Sequence, residues 1–380
     1  MNRQKSSPRF RFVGAAALLV LLALLVPALR DGDQRLYFLA AGVTAAMLLC
    51  MIIPARLFSL DRMILSLALY LGAVGIFSLA PADPDAALMQ LLRCSIGTVA
   101  LIVGAMLIRM LTVSMLTAGI TSFLGLLLLA GGLLTRDAAL PFTEAAVVLL
   151  MIAIASLLSA HGGIAALIPG LAGTALLLLQ GQTVEAVVLT LVILLLLWSA
   201  DGRTAVALAA LAAFAAVFFA ARQLGYLPAF ESEEAHTASL STLVSAGLVG
   251  TEAPAVTDPL LPASSLLYGL AGHYGLVFTG LTLLLYLPLV LRGASVAGAA
   301  RARFHALLAM GCTLLFAFRV PAGLLPAFSV LPLPISPLPL LTDSLPDLCA
   351  QMLALGLLCG ISSVNEADLA EDAHLAMLAK

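Results

Sequence analysis

Charge is what this chain has least of: 10% of its 380 residues are Asp, Glu, Lys or Arg, against roughly 25% in an ordinary soluble domain. That scarcity excludes a solvated globular surface over most of the length. There is also no excess of one sign, because 18 Lys and Arg face 20 Asp and Glu for a net charge of −2. Nothing in the balance marks nucleic acid as a partner. Cysteine is sparse as well. Cys50, Cys94, Cys312, Cys349 and Cys359 fall in mostly apolar surroundings with no C-x-x-C spacing, which gives neither a disulfide framework nor a zinc site. Missing too are G-x-x-x-x-G-K-[ST], G-x-G-x-x-G and H-E-x-x-H, so ATPase, dinucleotide-binding and zinc-hydrolase chemistry have no support.

What the chain has in abundance is apolar length: 62% hydrophobic residues and a mean hydropathy of +1.14. A bilayer crossing takes about 20 such residues, and the apolar runs divide into about twelve spans. They lie near 12–29, 36–54, 64–80, 94–111, 115–134, 141–159, 163–179, 183–200, 204–222, 265–291, 304–325 and 340–361. Unpaired backbone amides cost several kcal/mol in hydrocarbon, and no barrel-type alternation is present, so every span must be helical. The fold class is all-α, a polytopic membrane bundle. Arg3, Lys5, Arg9 and Arg11, then Arg56, Arg62, Arg109, Arg203, Arg292, Arg301 and Arg303, fall in alternate loops, which places both termini in the cytoplasm. The basic start followed by an apolar run shows no clean small-x-small site after Val26-Pro27-Ala28 and reads as an uncleaved first span.

Two connections stand out. Residues 223–264 form a long loop on the far side of the membrane from the termini, with Glu231, Glu233, Glu234, His236, Glu252 and Asp258; loops of that length in a tight bundle are commonly functional. The stretch from Pro326 to Pro339 carries prolines that forbid a regular helix. It suits a re-entrant or surface-lying segment, tolerated only where protein or water satisfies its backbone.

Ionisable groups at membrane depth carry the strongest functional signal, since each is costly unless paired or hydrated. Glu144, Glu185, His273, Arg319, Asp343 and Asp347 meet that description. Arg319 requires an acidic or carbonyl partner, which Glu144, Asp343 or Asp347 would supply from a neighbouring helix. A structural ion pair and a functional cation are both open at this point. His273, beside Gly272, Tyr274 and Gly275, reads as a hydrogen-bonded packing residue.

Several short motifs occur in a telling order. Pro141-Phe-Thr-Glu144, Gln180-Gly-Gln182, Ala200-Asp-Gly-Arg203, Ser245-Ala-Gly-Leu-Val-Gly250, Gly275-Leu-Val-Phe-Thr-Gly280, Gly323-Leu-Leu-Pro326, Pro332-Leu-Pro334-Ile-Ser336 and Leu353-Ala-Leu-Gly356-Leu-Leu358 follow one another over residues 141–358. Together they resemble the SEDS family (FtsW/RodA/SpoVE) of bacterial cell-wall growth and division, including its Q-P-S-E, S-G-G-L-x-G and G-L-L-P-x-T-G-x-x-L-P-F-x-S-Y-G-G-S-S signatures. The resemblance divides the chain into residues 1–60, a basic segment with two extra helices; 61–365, a ten-helix core; and 366–380, an acidic tail.

The resemblance implies a glycosyltransferase of the bacterial cytoplasmic (inner) membrane. Its substrate would be lipid II or another undecaprenyl-linked sugar, polymerised at the outer face, and its partners a class B penicillin-binding protein and membrane lipids. No cofactor is called for by the residues themselves, and the family chemistry leaves room for a divalent cation. The implied catalytic carboxylates are Asp258 and Glu144, with Arg136, Arg319, Ser336 and Gln180 toward the substrate. The sequence also departs from the pattern. Counting back from Gly275 puts Ser264 where the family's H-T-D-F aspartate belongs, and Asp258 is the nearest acid. Only Arg136 stands in for the basic residue before Q-P-S-E, and Pro337-Leu-Pro339 replaces the glycines after Ser336. A non-catalytic scaffold of the same fold, and a transporter or flippase for lipid-linked sugars, are therefore the alternative readings.

Overall fold

The computed structural model describes residues 34–378 apart from 59, 82, 112, 135–141, 203, 227–239, 242, 251–264, 329 and 331–333, together with 18, 20–22, 24, 25 and 29. The described elements are helical: α1 Gln34–Leu57, α2 Arg62–Leu79, α3 Pro84–Met110, α4 Met115–Leu134, α5 Thr143–Ala160, α6 Gly163–Leu179, α7 Thr183–Asp201, α8 Thr204–Gln223, α9 Ser265–Leu284, α10 Tyr286–Ala299, α11 Arg303–Ala327 and α12 Leu345–Leu378. Ten stretches are long and apolar enough to cross a membrane, with α9 and α10 counting as one; α6, at 17 residues, is a shorter apolar helix. The first expected span lies mostly outside the described residues, although Val20 and Leu24 are buried in the common core.

Helix starts follow local chemistry. Asp61 precedes α2 in an extended conformation, and its Oδ1 accepts the Met63 and Ile64 amides at 3.0 and 3.4 Å. Asp83 does the same for α3, where Pro84 occupies the first position. That cap starts α3 ten residues before the expected 94, because a proline that would break a helix interior is tolerated in its first turn. At the other end, α12 runs through Leu378, so the acidic residues from Glu366 onward continue the helix.

The most buried spans are α2, α5, α7, α11 and α12, and α3 packs one face against them. Contact between α3 and α12 is closest, because both lack side chains where they meet: a Cβ on Gly104 would lie 2.4 Å from the Leu353 carbonyl, and one on Gly356 2.1 Å from that of Leu101. Small residues let backbones touch in a medium that gives no hydrophobic push between helices. By contrast α8 is peripheral, with Leu208, Leu211 and Phe219 exposed as a lipid-facing helix requires.

Two expectations change. The span expected over 265–291 is broken at Gly275 (φ 82°, ψ 168°) and ends a helix at Leu284. The break leaves the Leu276 and Val277 amides without helical partners, and the carbonyls of Gly247 and Leu248 accept them at 3.0 and 3.3 Å. Gly250 (φ 90°) sits against this break; a Cβ there would lie 2.5 Å from the His273 carbonyl, so the S-A-G-L-V-G and G-L-V-F-T-G motifs meet backbone to backbone. The proline-rich segment is the second change. Pro321 and Pro326 lie within α11, and the non-helical part, 334–344, is an inward-folded turn in which Leu338, Leu340 and Leu341 are buried.

Candidate functional site

Helices alternate in direction, so the first turns of α5, α7 and α12 fall at the same end of the bundle. Each first turn carries one acid: Glu144, Glu185 and Asp347. A carboxylate there is favoured by the unsatisfied amides and dipole of a helix N-terminus. Arg319 enters from α11, which arrives from the opposite end. Its Nη1 pairs with Glu144 Oε2 and its Nη2 with Glu185 Oε2, so one guanidinium fork joins three helices. Asp347 lies within electrostatic range of both Arg319 and Glu185.

All three paired side chains are 8–13% exposed. Burial at that depth strips hydration from each charge, which makes the pairing obligatory. The cation is outnumbered by the surrounding carboxylates, and Arg319 Nε has no hydrogen-bond partner among the described residues. The network continues through Gln351 of α12. Its Nε2 donates to Glu144 Oε1 at 3.2 Å, while its Oε1 accepts the backbone amide of Leu340 at 2.5 Å.

The turn at 338–342 is held from three further points. Tyr286 of α10 donates to the Pro339 carbonyl, Gln90 of α3 donates to the Thr342 carbonyl at 2.9 Å, and Leu341 N donates to the Leu338 carbonyl at 3.1 Å. Protein groups thus satisfy the backbone of a non-helical segment inside the bundle, the condition for tolerating it there.

The residues expected at the site separate as follows. Glu144 and Arg319 are brought together. Asp343 is exposed and makes no pair with Arg319, and Glu185 takes that place. Ser336 lies beside the end of α11, with its carbonyl 3.0 Å from where a Gly323 Cβ would stand, and borders a crevice with Tyr268 and Leu338. Gln180 is at this end but donates to the Leu129 carbonyl, tying the α6–α7 turn to α4 instead of joining the ion cluster. Asp258 and Arg136 lie outside the described residues. The stretch bearing Asp258 joins Gly250, which lies against the Gly275 break, to the start of α9, and the stretch bearing Arg136 joins α4 to the start of α5; α9 and α5 both start at the ion-cluster end. Among the described residues no three His, Cys, Asp or Glu are placed to hold a metal ion. Glu144 and Glu185 are committed to Arg319, so this cluster does not fit a resident divalent cation.

Sequence reasoning missed Gln90, Gln351 and Tyr286. Gln90 and Gln351 are buried (0% and 5% exposed) and uncharged, so a search for ionisable groups passes over them. Polar amides within apolar helices are the available signal. Also missed was the opposite end, where Asp61 Oδ2 accepts Arg292 Nε and Nη2 at 2.8 and 2.6 Å and Ser362 Oγ at 3.0 Å.

Comparison with solved structures places this architecture. Thermus thermophilus rod shape determining protein RodA superposes with a TM-score of 0.59 at 20% identity, over 81% of this chain and 98% of that one. The fold is that of RodA. An aspartate-to-alanine mutant of that RodA gives the same TM-score. A chain from a study titled "Structural coordination of polymerization and crosslinking by a peptidoglycan synthase complex" reaches 0.64 at 20% identity, over 81% of this chain and 98% of that one. No family model and no curated protein matches the sequence itself. The RodA-like fold accounts for the multi-pass helical architecture, while chemistry rests on the residues this chain carries.

Proposed function

We propose that this protein is a divergent SEDS-type peptidoglycan glycosyltransferase that polymerises lipid II at the outer face of the bacterial cytoplasmic membrane, beside a class B penicillin-binding protein. The observation that carries this reading is spatial. Both segments expected to supply reactive groups, one with Asp258 and one with Arg136, are anchored at the same end as Glu144, Glu185 and Arg319, in a fold matching nearly the whole of RodA. The positive-inside pattern puts that end outside.

In this reading Asp258 accepts the proton of the acceptor sugar hydroxyl as its oxygen bonds to the donor's anomeric carbon. The bond to the lipid pyrophosphate breaks, and the pyrophosphate leaves with the electron pair, stabilised by Arg136. Glu144 keeps Arg319 fixed at the end of the bundle where the two segments meet it. Ser336 contacts the substrate from the inward-folded turn, and Gln180 supports the wall between α4 and α6.

A second reading, a non-catalytic scaffold docking the same partner, is favoured by one observation: Arg319 has both Nη groups committed to carboxylates. Polymerisation of labelled lipid II by purified protein, alone and with a cognate class B penicillin-binding protein, separates the two. Glycan chains made by the wild type and lost in Asp258→Ala support the enzyme. Absence of chains with a verified partner present would overturn it in favour of the scaffold.

A further inference from the structure

Leu340 has a φ of 66°, the sole non-glycine in the left-handed region among the described residues, and its side chain is fully buried. A branched apolar residue reaches that conformation only where its surroundings impose it. The hydrogen bonds to this turn identify what does so. Leu340 N–H can only donate, so it fixes Gln351 Oε1 on its own side; that leaves Gln351 Nε2, a donor, facing Glu144 Oε1, which accepts as a carboxylate. The amide orientation is therefore set from both ends at once. Gln90 repeats the arrangement two residues along: Arg93 Nη1 donates to its Oε1 at 3.2 Å, and its Nε2 donates to the Thr342 carbonyl. Each end of the turn is held by a buried glutamine, and each glutamine is oriented by a charge.

We propose that Gln351 is a positioning residue that couples the Glu144–Arg319–Glu185 ion cluster to the 338–342 turn, so that the charge carried by Glu144 sets the conformation of that turn. The charged groups facing this link are Glu144 from α5, Glu185 from α7, Arg319 from α11 and Asp347 from α12, with Arg93 of α3 behind Gln90 and Asp343 at the exposed edge of the turn. Ser336 lies two residues before the turn, so a change at the cluster would be transmitted to the segment that closes against Gly323. The coupling goes beyond the glycosyltransferase reading and holds for a scaffold equally well.

Hydrogen exchange of the full-length protein in nanodiscs, followed on peptides covering 336–345 and corrected for intrinsic rates, tests it without any activity measurement. Gln351→Leu removes both links. Exchange in this segment is expected to accelerate at least about tenfold at pH 7 and pH 5.5 alike, with α2 and α3 unchanged, as for a local opening. Gln351→Glu keeps an acceptor for Leu340 but opposes a carboxylate to Glu144. Exchange is expected to be fast at pH 7 and to return toward the wild-type rate at pH 5.5, where one proton shared between the two acids restores a donor. A merely structural gap would not recover on acidification. Wild-type exchange rates in Gln351→Glu at pH 7, or no recovery at pH 5.5, would overturn the proposal. Should neither variant accumulate, Glu144→Gln decides: faster exchange confined to 336–345 supports the coupling, and an unchanged rate there refutes it.

Discussion

The two ends of the bundle each contain a buried acid joined to an arginine, and they are built on opposite terms. At one end Asp61 has every role filled. One oxygen caps α2, the other takes Arg292 and Ser362, and the arginine side chain is 36% exposed, so water helps carry its charge. At the other end two carboxylates compete for a cation that is 8% exposed, a third acid stands close by, and one guanidinium N–H has no partner among the described residues. Stability alone accounts for the first arrangement: capping and a charge-assisted bond hold α2, α10 and α12 in register. It does not account for the second, because an excess of buried acid costs free energy that apolar packing would avoid. An end that keeps such a surplus is the end where function is expected.

Substitutions at the two ends sharpen the contrast. Arg319→Leu should be the most damaging, because it strands Glu144 and Glu185; removing one partner of a buried pair costs about 3–5 kcal/mol. A large loss of folded protein by fluorescence-detected gel filtration after heating is expected, and an unchanged melting temperature would show that the pair is not needed. Asp61→Ala removes a cap and a partner together and should cost about 2 kcal/mol, read as a lower melting temperature in detergent, with Asp61→Asn recovering part of it through the retained cap. Glu185→Gln keeps an acceptor for Arg319 while relieving the excess of acid, so stability should stay within about 1 kcal/mol of wild type. A loss as large as that of Arg319→Leu would mean the cluster is balanced as it stands. Smallest of all, Arg292→Ala should cost about 0.5–1 kcal/mol, a value discounted for exposure, and should fall further in high salt.

Much of this was legible in the residues. Apolar runs fixed helix positions to within a few residues wherever charges or glycines bounded them, and the scarcity of buried charge was enough to mark Arg319 as needing an acid, with Glu144 one of three candidates. Glu185 was marked as a charge at depth without its partner, since which acids share one arginine depends on how α5, α7 and α11 pack, and sequence spacing carries no such information. Asp83 followed by Pro84 is a start signal that hydropathy alone overruled. At Gly275 the cluster Gly272-His273-Tyr274-Gly275 is a local weak point but does not by itself specify a break, which exists because Gly247 and Leu248, nearly thirty residues away, supply the carbonyls. Gln90 and Gln351 went unseen because an amide is uncharged and a search for ionisable groups passes over it, and its two ends can be read only when both partners are known.

If the proposed function holds, chemistry resides at the ion-cluster end and only structure at the Asp61 end. Under the proposed function, polymerisation of lipid II by purified protein together with a class B penicillin-binding protein, compared between Glu144→Gln and Asp61→Asn at equal amounts of folded protein, tests this division most directly. Glu144→Gln should lose at least about tenfold in rate, corresponding to about 1.4 kcal/mol in the barrier, while Asp61→Asn should retain the wild-type rate. Equal rates in the two variants, or a loss confined to Asp61→Asn, would contradict it.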